Sequence, residues 1–300
     1  MIVVAYGLGH LHLGWIPDDA PVVVVHNDDQ LPEHACGHPR VRHLYPGANL
    51  GFGRGVNLAL AEVRTRRVVI VNPDVELERL HWSALAGGAA NEVVTVPLVG
   101  VEGNPMASVL PYPSPAMLTV SSLQLMRLAP PGSIRRRALG TVLGSWGDER
   151  RWSTPTPPGR YPLDTFWIPA AVFSVDTDLL RRIGGFDTDY FLYLEDTDLC
   201  HRINRQSPGA LAAVADTEPG FHEVGGSAHT SGASQLARRS QWDSAVTYAA
   251  REAGWQWRCA ELAIRGGRFV TSLGDRTGEL PPWDGTPAPR PGADQGRTRS

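Results

Sequence analysis

Two runs of valine limit what this chain can fold into. Val22-Val-Val-Val25 and Val68-Val-Ile-Val71 are apolar without interruption. A strand with one wet face alternates, so an unbroken β-branched run reads as a strand covered on both faces, as in a parallel sheet flanked by helices. Each run ends in polar residues, His26-Asn27-Asp28-Asp29 and Asn72-Pro73-Asp74. The carboxyl ends of buried parallel strands are where open α/β sheets hold ligands. Ile2 to Ala5 and Val41 to Tyr45 read as further strands, with irregular chain between Gly7 and Ala20. A glycine turn leads into a helix reaching about Arg66, and a second helix spans Leu80 to Ala90. Strands alternating with helices imply an α/β domain with a mostly parallel sheet.

The densest chemistry lies between Gly184 and Arg202, which holds five acids. Glu195, Asp196 and Asp198 fall within four positions, next to Tyr190, Phe191 and Tyr193. Acids packed together against aromatic rings repel one another and are costly to desolvate. A chain that takes a proton from a hydroxyl needs a carboxylate in such a partly dry cleft. The plainer reading has Asp196 or Thr197 capping a helix that starts at Asp198, with Asp198 and Arg202 paired at i,i+4. Spacing alone does not choose between the two.

Asn49-Leu-Gly-Phe-Gly-Arg-Gly-Val-Asn57 also reads two ways. Strand, glycine turn, helix and a later acid resemble a dinucleotide-binding unit, but the glycines stand at 51, 53 and 55, and Val56 takes the place of the third fingerprint glycine. The second way depends on a family likeness. Gly-Gly-Phe-Asp, an aromatic pair and Glu-Asp-x-Asp-Leu with an Arg resemble the family 2 glycosyltransferases, most closely their rhamnosyltransferase-like branch. The segment from Asn49 to Asn57 and Asn-Pro-Asp at 72–74 match the same family, in the same order.

That resemblance implies a nucleotide-diphosphosugar-binding fold of the GT-A type. It makes Asp196 the general base and Glu195 an acceptor-side residue. It puts Asn27, Asp28, Asn49, Gly51, Phe52, Gly55, Asn57 and Asp74 around the nucleotide sugar. It places Asp74 and His222 on a divalent cation, Mg2+ or Mn2+, at the diphosphate. The implied activity is an inverting transfer, with dTDP-rhamnose as a candidate donor and a hydroxyl on a glycan, a lipid-linked glycan or a small molecule as acceptor. The chain departs from the family at His26, where relatives carry Asp, and at Pro169, where they carry Gly. Those departures favour the rival reading of a non-catalytic nucleotide-sugar-binding relative; an NAD-dependent oxidoreductase is more distant.

Composition narrows the rest. All 28 basic residues are arginine, so no Schiff-base or phosphate-loop lysine exists, and a net charge of −3 gives no field for nucleic acid. Cys36, Cys200 and Cys259 are scattered and odd in number, which excludes a disulfide framework and fits a reducing, cytoplasmic setting. The start of the chain lacks signal-peptide features, and no apolar run approaches a bilayer span. The expected organisation is a catalytic domain over 1–230, a helical extension over 231–275 and a disordered tail over 276–300, poor in apolar residues. Residues 118–162 show no clear period. Arg135-Arg136-Arg137 reads as a solvated face or as a patch for anionic lipid at the inner face of the membrane. Trp255 and Trp257 read as packing residues or as membrane-interface anchors.

Overall fold

A computed structural model describes residues 1–6, 13–27, 38–123, 154–223 and 231–274. The main sheet has eight strands in the order β10-β13-β6-β12-β4-β1-β2-β3. In chain order these are β1 (Ile2–Ala5), β2 (Val22–His26), β3 (Val41–Leu44), β4 (Arg67–Val71), β6 (Glu92–Thr95), β10 (Gly159–Pro162), β12 (Val172–Asp176) and β13 (Leu211–Val214). Strands β1, β2, β3 and β4 pair in parallel, as do β6 and β13, whereas β12 runs antiparallel between β4 and β6. The mostly parallel α/β expectation holds.

The valine runs are buried on both faces, and the periodicity of two decides which core each residue enters. Val68 and Ile70 face one cluster with Val56, Leu60, Leu180, Leu199 and Ile203. Val69 and Val71 face the other with Trp15, Ile16 and Leu85. The first cluster is roofed by α1 (Phe52–Leu60), α4 (Thr177–Arg182) and α5 (Glu195–Gln206), the second by α2 (Arg79–Ala86).

A smaller sheet grows from the end of β4. It contains β5 (Val75–Glu76), β14 (Gly220–His222), β7 (Leu98–Val99) and β8 (Pro105–Met106), in the order β5-β14-β7-β8. A two-stranded ribbon joins β9 (Leu110–Pro111) to β11 (Phe166–Trp167). The apolar stretch from Phe166 to Asp176 is two strands, because Ile168 to Ala171 leave one sheet and enter another. The aperiodic region 118–162 contributes the end of α3 (Pro115–Ser122), capped by the Ser114 hydroxyl accepting from the Met117 N–H, and β10. Arg135–Arg137 and residues 276–300 lie outside the described residues.

Two helices complete the fold, α6 (Ser231–Arg251) and α7 (Trp255–Gly274), separated at Gly254, whose φ of 114° suits glycine. They pack on α3 and on the acid-rich loop, through Leu118, Tyr190, Ala245, Tyr248, Ala249 and Ile264.

Candidate active site

The site begins with a contact between two sequence motifs. Asn57 on α1 donates its amide to the Phe186 carbonyl at 2.7 Å and accepts from the Phe186 N–H at 2.8 Å. Both ends of one side chain therefore clamp the backbone of a residue 129 positions away. The Phe52 N–H bonds the Phe191 carbonyl at 3.1 Å, and the Phe52 ring meets Phe186 edge-on. A methyl group at Gly51 would come within 2.2 Å of the Phe191 oxygen, and one at Gly185 within 2.2 Å of Asn57 Oδ1. Both glycines also have φ near +80° and +73°. The glycine turn thus serves as a seat for the acid-rich loop.

This changes what several expected ligand residues do in the structure. Asn57, Phe52 and Gly51 touch the loop. Gly55 packs against Val4, where a methyl would stand 2.9 Å from Cγ1. Asn49 accepts from the Gly51 N–H at 2.9 Å, and buried Asn27 ties the same turn through Gly51 O at 2.9 Å and the Leu50 N–H at 3.4 Å. The glycines explain themselves by close packing, which removes the basis of the dinucleotide reading. Asp28 lies outside the described residues.

The loop then delivers its acids. Tyr193 and Leu194 both have left-handed backbone, φ 73° and 64°. For non-glycine residues that conformation costs of order 1–3 kcal/mol each. It starts α5 at Glu195, three residues earlier than the sequence suggested, so Glu195, Asp196 and Asp198 all occupy the first turn, where the helix dipole favours negative charge. No side chain caps the helix, which corrects the capping role weighed for Asp196 and Thr197. The Asp198–Arg202 pair forms at 2.6 Å, and Arg202 reaches on to the carbonyls of Ile183 and Gly185.

Glu195 is buried, and Oε2 has no hydrogen-bond partner. Burial, with the neighbouring Asp196 charge, pushes its carboxyl up to about 8. Burial also raises Asp196, against the N–H groups of Ala170 and Thr197, which it accepts at 3.0 and 2.8 Å. The two are raised together by burial and titrate as a coupled pair.

The hydrogen bond to Ala170 also locates Asp196 relative to the sheet. Ala171 O accepts from the Asn72 N–H at 2.9 Å, just beyond the β12–β4 pairing of Val172 with Val71. Asp74 follows two residues after Asn72. Both acidic stations therefore stand at one end of the sheet, joined through Ala170, Ala171 and Asn72. In the small sheet His222 pairs with Val75, and the Glu223 N–H bonds Asp74 O. His222 Nε2 lies 3.3 Å from Asp74 Oδ1, yet Oδ1 and His222 Nδ1 are buried without a hydrogen-bond partner. The contact is close but lacks hydrogen-bond geometry. A carboxylate oxygen and an imidazole nitrogen are donors that would suit a hard or borderline divalent cation. Among the described residues no third His, Cys, Asp or Glu joins them.

The strand ends of β2 and β3 supply a feature the sequence did not announce. His26 Nε2 and His43 Nδ1 are 2.9 Å apart, and the His26 ring stacks on Tyr45 at 4.7 Å and 12°. Tyr45 is 50% exposed, so the stack ends in an open aromatic face. The signal was the parallel register: Val25 opposes Leu44, which puts His26 beside Tyr45.

No family model matches the chain. It is 27% identical over 268 residues to the N-acetylglucosaminyl-diphospho-decaprenol L-rhamnosyltransferase of Mycobacterium tuberculosis, in strains CDC 1551 / Oshkosh and H37Rv, covering 81% of this chain and 80% of the relative. Among solved structures, GalNAc-T7 with UDP, GalNAc and Mn2+ superposes with a TM-score of 0.50 at 9% identity, over 89% of this chain and 53% of that one. The mannosyltransferase PcManGT from Pyrobaculum calidifontis gives 0.45 at 15% identity, over 93% and 75%. The GalNAc-T7 superposition bears out the expected GT-A fold, and the mycobacterial relative bears out the resemblance to the rhamnosyltransferase-like branch of the family 2 glycosyltransferases.

Two outcomes follow. Asn57→Ala orphans the Phe186 N–H and carbonyl and is expected to lower stability by about 2–4 kcal/mol in urea unfolding; a loss under about 0.5 kcal/mol would show the clamp to be idle. Glu195 binds its proton more tightly folded than unfolded, so stability is full below about pH 4.5 and falls as pH rises towards 8, by up to ~1.4 kcal/mol per pH unit. Glu195→Gln is expected to flatten that fall in melting curves taken across the window; a parallel decline in the variant would count against it.

Proposed function

We propose that the chain is an inverting glycosyltransferase that moves a sugar from a nucleotide diphosphosugar to an acceptor hydroxyl. The observation that carries this is the joining of Asp196, through Ala170 and Ala171, to the strand end that bears Asp74 and His222. A base and a phosphate-end anchor in one crevice are what a single displacement at an anomeric carbon requires.

The residues divide the work as follows. Asp196 accepts the acceptor's hydroxyl proton as that oxygen attacks the face of the sugar opposite the leaving diphosphate, which inverts the centre. Burial strengthens Asp196 as a base, and the Ala170 and Thr197 N–H groups hold its orientation. Glu195, whose carboxyl burial pushes up to about 8, adds no second charge near neutral pH and is assigned to the acceptor side. Asp74 and His222 would hold a divalent cation, Mg2+ or Mn2+, which when bound neutralises charge developing on the diphosphate. The open face of Tyr45 suits stacking by the nucleotide base.

The relative's name supports a narrower version, with rhamnose as the donated sugar and a lipid-linked N-acetylglucosaminyl diphosphate as acceptor. Such an acceptor brings the protein to the cytoplasmic surface of a membrane as a peripheral visitor. Among the described residues no helix is long and apolar enough to cross one.

Asp196→Asn is expected to retain donor affinity and lose turnover by about 10²–10⁴-fold in a nucleotide-release assay. Undiminished turnover would remove the base assignment, and absence of turnover in the unaltered chain with every donor would favour the non-catalytic rival. Asp74→Ala is expected to weaken donor binding in the presence of Mn2+ by about tenfold or more, with little change in the presence of EDTA; calorimetry showing equal affinity with Mn2+ would take Asp74 out of the site.

A further inference from the structure

Helix α7 buries one side and exposes another that is not polar. Ala260 and Ile264 are buried, the latter in a cluster with residues of α3 and α6. Trp255 is 71% exposed and Leu262 68%, the two highest values among the large apolar side chains described. At 100° per residue, Trp255, Cys259, Leu262 and Gly266 fall along one narrow stripe, positions i, i+4, i+7 and i+11. Arg258 and Arg265 are exposed along one flank of that stripe. Beside it runs an open apolar groove of about 380 Å³ between α3 and α7, lined by Pro115, Ala116, Val120, Trp255, Ala260 and Ala263.

Isolated exposed apolar residues are ordinary, but a tryptophan and a leucine two turns apart, continuous with an apolar groove, form a patch. The charge on its flank is mainly positive: Arg258 and Arg265 lie there, and Glu261, the one acid in the sequence from 255 to 274, pairs with Arg265 at 2.9 Å. An apolar stripe with tryptophan at one end and arginines on its flank is the chemistry of a helix lying in the plane of a membrane interface. Tryptophan seats at headgroup depth there, and arginines meet anionic lipid.

We propose that this face of α7 docks on the surface of an anionic lipid bilayer, with Trp255 and Leu262 entering the headgroup–acyl boundary and Arg258 and Arg265 on the headgroups. The face is linked to the acid loop. Helix α7 packs on α6, and α6 holds the loop through Ser244 Oγ to Leu192 O at 2.8 Å and Arg251 to Asp187 and Asp189. Docking would thus set the orientation of the crevice to the bilayer. Its biological purpose rests on the lipid-linked acceptor reading; lipid binding itself is measured without donor or turnover.

The test is co-sedimentation of the full chain with vesicles of phosphatidylcholine alone and of phosphatidylcholine mixed with phosphatidylglycerol. The unaltered chain is expected to bind the mixed vesicles more tightly. Trp255→Ser with Leu262→Ser is expected to weaken that binding by about tenfold or more at an unchanged melting temperature. Arg258→Ala with Arg265→Ala is expected to abolish the preference for phosphatidylglycerol. Equal binding by the unaltered chain and the serine pair, or no binding by either, would overturn the proposal. A concentration-dependent dimer that the serine pair abolishes, without vesicle binding, would assign the face to a second copy and overturn it too. Vesicle binding as expected, alongside failure to turn over any nucleotide sugar, would sink the transferase reading and leave the docking face standing.

Discussion

The Asn57 clamp on Phe186 is the contact on which the site depends. It is made by one amide whose donor and acceptor are both used, between a helix that roofs the sheet and a loop with little regular structure of its own. Around it the glycines at 51, 53 and 185 let backbone and side chains approach where a β-carbon would stand under 3 Å from its neighbour. Arg54 adds its guanidinium to the Thr188 carbonyl, and Arg202 holds the carbonyls of Ile183 and Gly185 from the other side. With the loop so seated, the backbone can sustain two left-handed residues in succession and present three acids in the first turn of a helix.

That arrangement stores unfavourable energy where chemistry needs it. Glu195 and Asp196 are adjacent and desolvated, and the helix N-terminus and two backbone N–H groups offset only part of the cost. The C-terminal helices belong to the same device. Arg251 pairs with Asp187 and Asp189 and lies 5.2 Å over the Tyr190 ring, and His201 on α5 meets the Tyr248 hydroxyl at 2.9 Å. The helical region that the sequence suggested as an extension is, in the structure, a brace for the acid loop.

Much of the fold was legible because burial on two faces leaves an unmistakable pattern in Val22–Val25 and Val68–Val71. Strand direction was not, since a strand covered on both faces reads the same either way, and β12 turned out antiparallel. The start of α5 was misplaced because Tyr193 and Leu194 adopt backbone angles that no propensity favours; they are imposed by the packing of the loop. The glycine turn shows how far residue type can carry. Three glycines within five positions signal close approach, but not what approaches, and here it is a loop from the far half of the chain. His26 stood out in the sequence as a departure, whereas the register of β2 and β3 makes it the middle of an aromatic stack. His222 comes within 3.3 Å of Asp74 because two short strands pair Val75 with His222.

Catalysis on this scheme requires that the carboxylate of Asp196 and the Asp74–His222 pair serve a single bound donor. A crystal structure of the chain soaked with a nucleotide diphosphosugar and Mn2+ tests it most directly. The expected result is density for the ion on Asp74 and His222, with the anomeric carbon of the same donor facing Asp196 across room for one hydroxyl. A donor bound with its diphosphate away from Asp74, or with its sugar turned from Asp196, would contradict it.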